Sequence, residues 1–186
     1  MRIIAGEYRS RKIETRSGNE TRPTLDKVRE AVFSSLGGMF DGGMVLDLYA
    51  GSGANGLEAL SRGFDYAVFA DISKDAINII RKNIESLCCQ EKTKVLHMPD
   101  KKVLSLLKAE GLRFDLVYLD PPYAGQRNNE ILEYLYENKL ITDRGVVVIE
   151  SAKEDEFKKE FGSLKPYKEA TYGITRITYY RNEVEG

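Results

Sequence analysis

Val45-Leu46-Asp47-Leu48-Tyr49-Ala50-Gly51-Ser52-Gly53-Ala54-Asn55-Gly56 is the stretch on which the fold turns. Its first four residues read as a buried strand. Gly51, Gly53 and Gly56 follow at once in the spacing G-x-G-x-x-G and open a helix. Asp71, 20 residues after Gly51, closes the next β-rich run. Glycines at a strand-to-helix turn let the backbone approach a ligand, and a carboxylate one strand over accepts hydrogen bonds from ribose hydroxyls. Any adenosine-bearing cofactor satisfies this pattern. Asp47 narrows the choice, because it sets a carboxylate four residues before Gly51 on the floor of the same pocket. That charge repels the pyrophosphate of a nicotinamide dinucleotide and suits the ammonium and sulfonium of S-adenosylmethionine. The other role open to Asp47 is capping backbone groups of the loop.

Outward from this loop, short β-rich runs alternate with helix-length amphipathic segments, the pattern of an α/β fold with a parallel sheet covered on both faces. Strands are expected at 45–48, 66–71, 94–97, 114–119 and 146–149, mostly apolar as central strands are. Ile77, Ile80, Ile84 and Leu87 share one helical face, with Ser73 as N-cap. Crossover helices fit 55–62, 103–110 and 129–139. Two strand-like segments, 167–171 and 174–181, flank Tyr172-Gly173 and predict a closing antiparallel hairpin. In front of all this, 2–5 and 11–15 read as a small hairpin. Leu25, Val28, Val32 and Leu36 mark a helix over 24–36.

The 186 residues correspond to one domain, with 1–40 as an extension on a core of 41–186. A formal net charge of −1 excludes a protein that binds polyanions through bulk charge. Residues 1–16 nevertheless carry +3, leaving −4 on the rest, so any nucleic-acid contact belongs to that front segment; the alternative is a solvated edge hairpin. No run approaches the ~20 apolar residues of a membrane span. Met1-Arg2-Ile3-Ile4-Ala5-Gly6-Glu7 meets charge at once, unlike a secretory signal, and the expected location is the cytoplasm. Cys88 and Cys89 are adjacent and read as reduced, partly buried thiols, and the lone His97 reads as a strand-end residue. No metal is expected.

Asp120-Pro121-Pro122-Tyr123 follows the fourth predicted strand, at the carboxyl edge where open α/β sheets bind ligands. Two prolines donate no backbone hydrogen bonds and hold an extended geometry, which frees the Pro121 carbonyl. That carbonyl and the Asp120 carboxylate make two acceptors, matching the two N–H donors of an exocyclic amine on a nucleobase. Tyr123 would cover the face of an extruded base, a contact of roughly 1–3 kcal/mol.

With these residues in view, the chain resembles the class I S-adenosylmethionine-dependent methyltransferases. It is similar in particular to the RsmD family, bacterial enzymes that methylate guanine N2 in small-subunit (16S) ribosomal RNA. The likeness runs through Arg2-Ile3-Ile4-Ala5-Gly6, Thr21-Arg22-Pro23-Thr24, Val28-Arg29-Glu30-Ala31-Val32-Phe33, Leu46 to Gly53, Gly56-Leu57-Glu58-Ala59-Leu60-Ser61-Arg62-Gly63, and Phe114-Asp115 leading into Asp120 to Tyr123. It implies a Rossmann-like fold with a mostly parallel seven-stranded sheet. It also implies that Asp47, Gly51 and Gly53 line the methionine end of the cofactor and that Asp71 holds the ribose. Tyr49, Ala50, Ser52 and Ile72 complete the cofactor set. Asp100 would contact the adenine amino group; its other role is to cap the helix beginning near Lys101. Thr24 and Arg29 would close the pocket from the front helix. Arg2, Arg9, Arg11, Lys12 and Arg22 would meet RNA phosphates. Tyr49 stands where Phe is commoner, and Asn55 where an aliphatic residue is frequent.

The expected partner is 16S rRNA within an assembling small subunit, approached by a monomer. Three other readings compete. An adenine-N6 DNA methyltransferase can use the same tetrapeptide, although little chain remains for a target-recognition region. A nicotinamide-dependent oxidoreductase would bind NAD and give Tyr123 no role. A non-catalytic RNA-binding module would be indifferent to loss of Asp120.

Overall fold

The strands of the first half form because their apolar runs are covered on both faces. Met44–Asp47 (β1) pairs in parallel with Tyr66–Asp71 (β2), which pairs in parallel with Thr93–His97 (β3). Ala67, Val68, Phe69 and Ala70 in β2 are all fully buried, so no alternation of polar and apolar residues survives in the sequence. The structure is a computed structural model that describes residues 1–16, 22–122 and 124–184, with side chains in the first helix from Leu25 onward.

The helices of this half are Arg22–Ser35 (α1), Ala54–Ser61 (α2) and Lys74–Ser86 (α3). The Ser73 hydroxyl caps α3 by accepting from the Ala76 N–H at 3.3 Å, and Ile77, Ile80 and Ile84 are buried, as their spacing predicts. The other end of α3 accounts for the paired cysteines. Cys88 takes a left-handed conformation (φ 54) and donates its N–H to Glu85, while the Cys89 N–H reaches back to the Ile84 carbonyl. That pair of bonds is a Schellman cap, with Cys89 as its buried apolar residue. Burial pushes the Cys89 thiol up to about 11, whereas Cys88 is exposed. Iodoacetamide at pH 8 should therefore alkylate one cysteine, Cys88, in the native protein. Peptide mapping checks this, and rapid labelling of Cys89 would contradict the burial.

The hairpin expected at 2–5 and 11–15 forms as a short one: Arg2 bridges Lys12, the Ile3 N–H donates to the Arg11 carbonyl at 3.0 Å, the Ser10 N–H to the Ile3 carbonyl at 2.9 Å and the Ile13 N–H to the Met1 carbonyl at 3.0 Å. Other backbone donors of the segment reach α2. The Ile4 and Ala5 N–H groups donate to the Glu58 carboxylate at 2.9 and 3.2 Å, the Tyr8 N–H to Ser61 Oγ at 2.9 Å, and the Glu7 N–H to the Ser61 carbonyl at 2.8 Å. Gly6 permits this approach. Its φ is +89, and a Cβ there would lie 1.8 Å from the Ser61 carbonyl oxygen. Ile3, Tyr8 and Ile13 are buried under the segment.

The second half begins with Asp100–Ala109 (α4), followed by Phe114–Leu119 (β4), Asn128–Glu137 (α5) and Ile141–Ala152 (β5). Leu164–Tyr172 (β6) and Thr175–Asn182 (β7) form the predicted closing hairpin. β4 and β5 are parallel, and β5 and β7 antiparallel. At twelve residues, β5 extends well beyond the expected 146–149. Its first residue, Ile141, pairs with Phe114 ahead of a register shift, with Arg144 at φ 67. Pro166 is accommodated on β6, where the register shifts between Pro166 and Lys168. The strand order of the seven-stranded sheet is β3-β2-β1-β4-β5-β7-β6. The chain divides into two compact units, residues 1–100 and 101–186, and the front segment belongs to the first together with β1, β2 and β3.

Candidate active site

The glycine loop is held by carboxylates at both its ends. Asp47, 1% exposed at the end of β1, accepts the Gly56 N–H at 3.0 Å, so the capping role open to it is realised. Asp71 accepts the Gly51 N–H at 2.9 Å through Oδ2 and the Ser73 N–H at 2.9 Å through Oδ1. Each of its oxygens retains a second lone pair that can accept from a hydroxyl. Gly53 begins α2 in the left-handed conformation (φ 85), and its N–H donates to the Ala50 carbonyl at 2.7 Å. The Ala50 N–H in turn donates to the Ala70 carbonyl in β2. A Cβ built on Gly51 (φ 58) would project into open space, so the loop backbone can be approached closely there.

Around this loop, Ile72 is 70% exposed, an apolar surface directly after Asp71. The His97 ring lies 3.0 Å from the Ile72 carbonyl, at the end of β3 as expected. The Tyr49 hydroxyl donates to Asp100 Oδ2 at 2.7 Å. The departure from Phe at position 49 therefore has a use that the sequence does not reveal. Asp100 is the first residue of α4, where a carboxylate is also favoured by the helix dipole. Asn55 lies half-buried in α2. This donor set fits S-adenosylmethionine: carboxylates for ribose hydroxyls and cationic groups, an open glycine backbone, and an exposed apolar side chain for a base.

Arg29 is held by bonds that the sequence does not reveal. The resemblance assigns it to the cofactor pocket, and in the structure its guanidinium is 4% exposed. Nε donates to Glu58 at 3.1 Å, and Nη2 donates to Asp26 at 2.9 Å and to the Arg2 carbonyl. Glu58, fully buried, also accepts from Arg62 Nε at 2.8 Å, and Arg62 donates to the Gly38 carbonyl. One carboxylate thus joins the front segment, α1 and α2. Sequence reasoning overlooked it because its spacing within Leu57-Glu58-Ala59-Leu60 resembles an ordinary solvated helix position. The side chains of Thr24 and Arg22, and Tyr123 entirely, lie outside the described residues.

The remaining basic residues named from the sequence, Arg2, Arg9, Arg11 and Lys12, are all exposed. Arg2 also donates to the Ser10 carbonyl at 2.7 Å. Arg11 donates to Ser86, where the carbonyls at the end of α3 favour a cation.

In the second unit, Asp120 is half-buried directly after β4, Pro121 is buried and Pro122 is exposed. The Tyr118 hydroxyl, within the buried part of β4, donates to Glu150 Oε1 at 2.8 Å. Leu119 pairs with Ile149, so the register sets Glu150 level with Asp120 on the same carboxyl edge and face. Glu150 escaped the sequence reading because nothing in Val147-Val148-Ile149-Glu150 distinguishes it from the end of an ordinary strand.

A glycine loop between β1 and α2, an acidic residue ending β2 and an Asp-Pro-Pro turn after β4, on a seven-stranded sheet with this order, define a Rossmann-like class I methyltransferase fold. The chain belongs to the RsmD family, whose model, described as "Conserved hypothetical protein 95", matches residues 1–181. It is 35% identical over 181 residues to YlbH of Bacillus subtilis (strain 168), whose name gives it provisionally as an rRNA methyltransferase; the match covers 97% of this chain and 98% of that protein. It is 32% identical to "Ribosomal RNA small subunit methyltransferase D" of Haemophilus influenzae (98% and 94% covered). Among solved structures, a conserved hypothetical protein of Streptococcus pyogenes superposes with a TM-score of 0.79 at 39% identity, covering 83% of this chain and 95% of that one.

Proposed function

We propose that this protein transfers the methyl group of S-adenosylmethionine to the exocyclic N2 amine of a guanine in small-subunit ribosomal RNA. The observation that carries this reading is Asp120-Pro121-Pro122 at the carboxyl end of β4, in a chain matched nearly end to end by relatives named as small-subunit rRNA methyltransferases. S-adenosylmethionine, when bound, supplies a methyl group made electrophilic by its sulfonium.

The chain's own residues do the rest. Asp47 and the open backbone at Gly51 suit the cationic methionine end, and the free lone pairs of Asp71 suit the ribose hydroxyls. The Ile72 side chain offers the adenine an apolar face, and Asp100, steadied by Tyr49, offers its amino group an acceptor. The guanine amine is a poor nucleophile because its lone pair is delocalised into the ring. Asp120 and the Pro121 carbonyl accept its two N–H bonds and direct the lone pair outward. With the cofactor bound, the amine nitrogen would take the methyl group as S-adenosylhomocysteine leaves, and Asp120 or solvent would accept the proton that the amine loses. Positioning supplies most of the acceleration, without a covalent enzyme intermediate. Arg2, Arg9, Arg11 and Lys12 hold RNA phosphates, so affinity should fall steeply with salt. This patch is small, so an assembling particle should be a better substrate than naked rRNA.

The test is incorporation of labelled methyl into unmethylated small subunits and into protein-free rRNA, followed by nucleoside analysis. Label in N2-methylguanosine, faster on the particle, is expected. Label on adenine in DNA would replace this reading with the DNA methyltransferase, and equal rates on naked rRNA would remove the preference for a particle.

A further inference from the structure

Asn83 occupies a position in α3 where an apolar residue would serve the helix better. It is 1% exposed, and Asn is a mediocre helix former. A buried amide must have its polar atoms satisfied, and the partners of this one are all backbone. Nδ2 donates to the Ser52 carbonyl at 2.9 Å and to the Glu14 carbonyl at 3.0 Å, and Oδ1 accepts the Glu14 N–H at 2.8 Å. Only this orientation of the amide works, because the two carbonyls need donors and the N–H needs an acceptor.

One side chain thus stands in for a strand partner to Glu14 and at the same time holds the glycine loop at Ser52. The flanking ties between the front segment and α3 are exposed. Arg11 donates to the Ser86 carbonyl at 2.7 Å, and Arg16 lies 3.9 Å from Asp75. Exposed ion pairs of the latter kind contribute little, so the buried amide is the tie that water does not weaken.

We propose that Asn83 is a positioning residue that couples occupancy of the cofactor loop to the order of the front segment, so that cofactor and RNA reinforce each other's binding. This rests on the reading that the loop holds S-adenosylmethionine and that the front segment meets RNA. Two arguments carry it. The amide bonds both elements directly, and it does so through backbone atoms, whose positions define the loop and the segment themselves. A ligand that fixes the Ser52 peptide therefore fixes Asn83 and, through it, Glu14. Linkage requires the converse as well: RNA that orders residues 11–16 must tighten cofactor binding by the same factor, about 5-fold or more for couplings of ordinary size.

The experiment uses the full chain and S-adenosylhomocysteine as probe. Calorimetry gives its affinity, and amide hydrogen exchange reads Glu14, whose N–H is the one bonded to Asn83. In the wild type, and in Asp75→Asn, which removes only an exposed tie, the probe should slow exchange over residues 11–16 severalfold. In Asn83→Ala that slowing should vanish and the probe should bind several-fold more weakly. The KM for RNA at subsaturating cofactor should rise, while kcat with both substrates saturating stays within about threefold. Asn83→Asp, which keeps the acceptor but turns a carboxylate toward two carbonyls, should behave like Asn83→Ala. Probe binding with no change at residues 11–16 in the wild type would overturn the coupling alone, even if the variants fail to fold. Slowing that persists in Asn83→Ala would reduce Asn83 to a packing role. No binding of the probe would remove the cofactor reading and the coupling with it.

Discussion

Asp120→Ala should lower the rate of methyl transfer by about 100- to 1,000-fold, the loss seen when one preorganised group that acts in a transition state is removed. The half-buried Asp120 follows β4 at the point where the chain leaves the sheet. In the proposed reaction its carboxylate would be one of two acceptors for the amine and would offset the positive charge that develops on nitrogen as the methyl group arrives. The Pro121 carbonyl remains in the variant and cannot by itself hold both N–H bonds. Asp120→Asn keeps one acceptor oxygen but loses the charge, so its activity should lie between those of the alanine variant and the wild type. Affinity for S-adenosylhomocysteine should be unchanged in both, because the glycine loop, Asp47 and Asp71 are held by bonds that do not involve Asp120. Single-turnover methylation of small subunits beside calorimetry separates the two effects. An alanine variant within fivefold of the wild-type rate would mean that the Asp-Pro-Pro turn is a structural feature only.

The second large effect is on stability. Glu58→Ala should destabilise the protein by about 3–5 kcal/mol, the cost of removing one partner from a buried ion pair. Glu58 is fully buried and bonded to Arg29 and Arg62, each almost as deeply buried. Its loss leaves Arg29 with Asp26 and the Arg2 carbonyl, leaves Arg62 with the Gly38 carbonyl, and deprives the Ile4 and Ala5 N–H groups of their acceptor. For a chain of this size the melting temperature should fall by about 10 °C. Circular dichroism and differential scanning calorimetry read this directly, and proteolysis should cleave the released front segment first. A melting temperature within 2 °C of wild type would show that the cluster contributes little net stability, as some buried ion networks do.

Both predictions concern residues whose neighbours differ in kind. The place of Asp120 at the end of β4 was legible from the sequence because its signal is local: a strand end and two prolines are consecutive in the chain. The same holds for the glycine loop, for β2 with its unbroken apolar run, and for α3 with Ser73 before a periodic face. Glu58, Asn83 and Glu150 were not legible. Glu58 accepts from Ile4, 54 residues away, Asn83 binds Glu14 across 69 residues, and Glu150 receives its hydrogen bond from Tyr118, 32 residues earlier.

The pairing of Arg29 with Glu58 was hidden for the same reason, because the two residues lie on different helices and meet only once the chain has packed. Likewise, Arg2 to Ala5 and Arg11 to Thr15 read as a hairpin, and the short one that forms is tied to α2 through the Ile4, Ala5 and Tyr8 N–H groups, which the sequence does not show. The sequence by itself determined the class of fold, the glycine loop and the Asp-Pro-Pro turn, because strand period, glycine spacing and proline geometry act over a few neighbouring residues. Only the tertiary structure decided which polar groups are buried together. Which carboxylate meets which arginine, and which amide joins a loop to a distant segment, depends on desolvation, and desolvation exists only once the chain has packed.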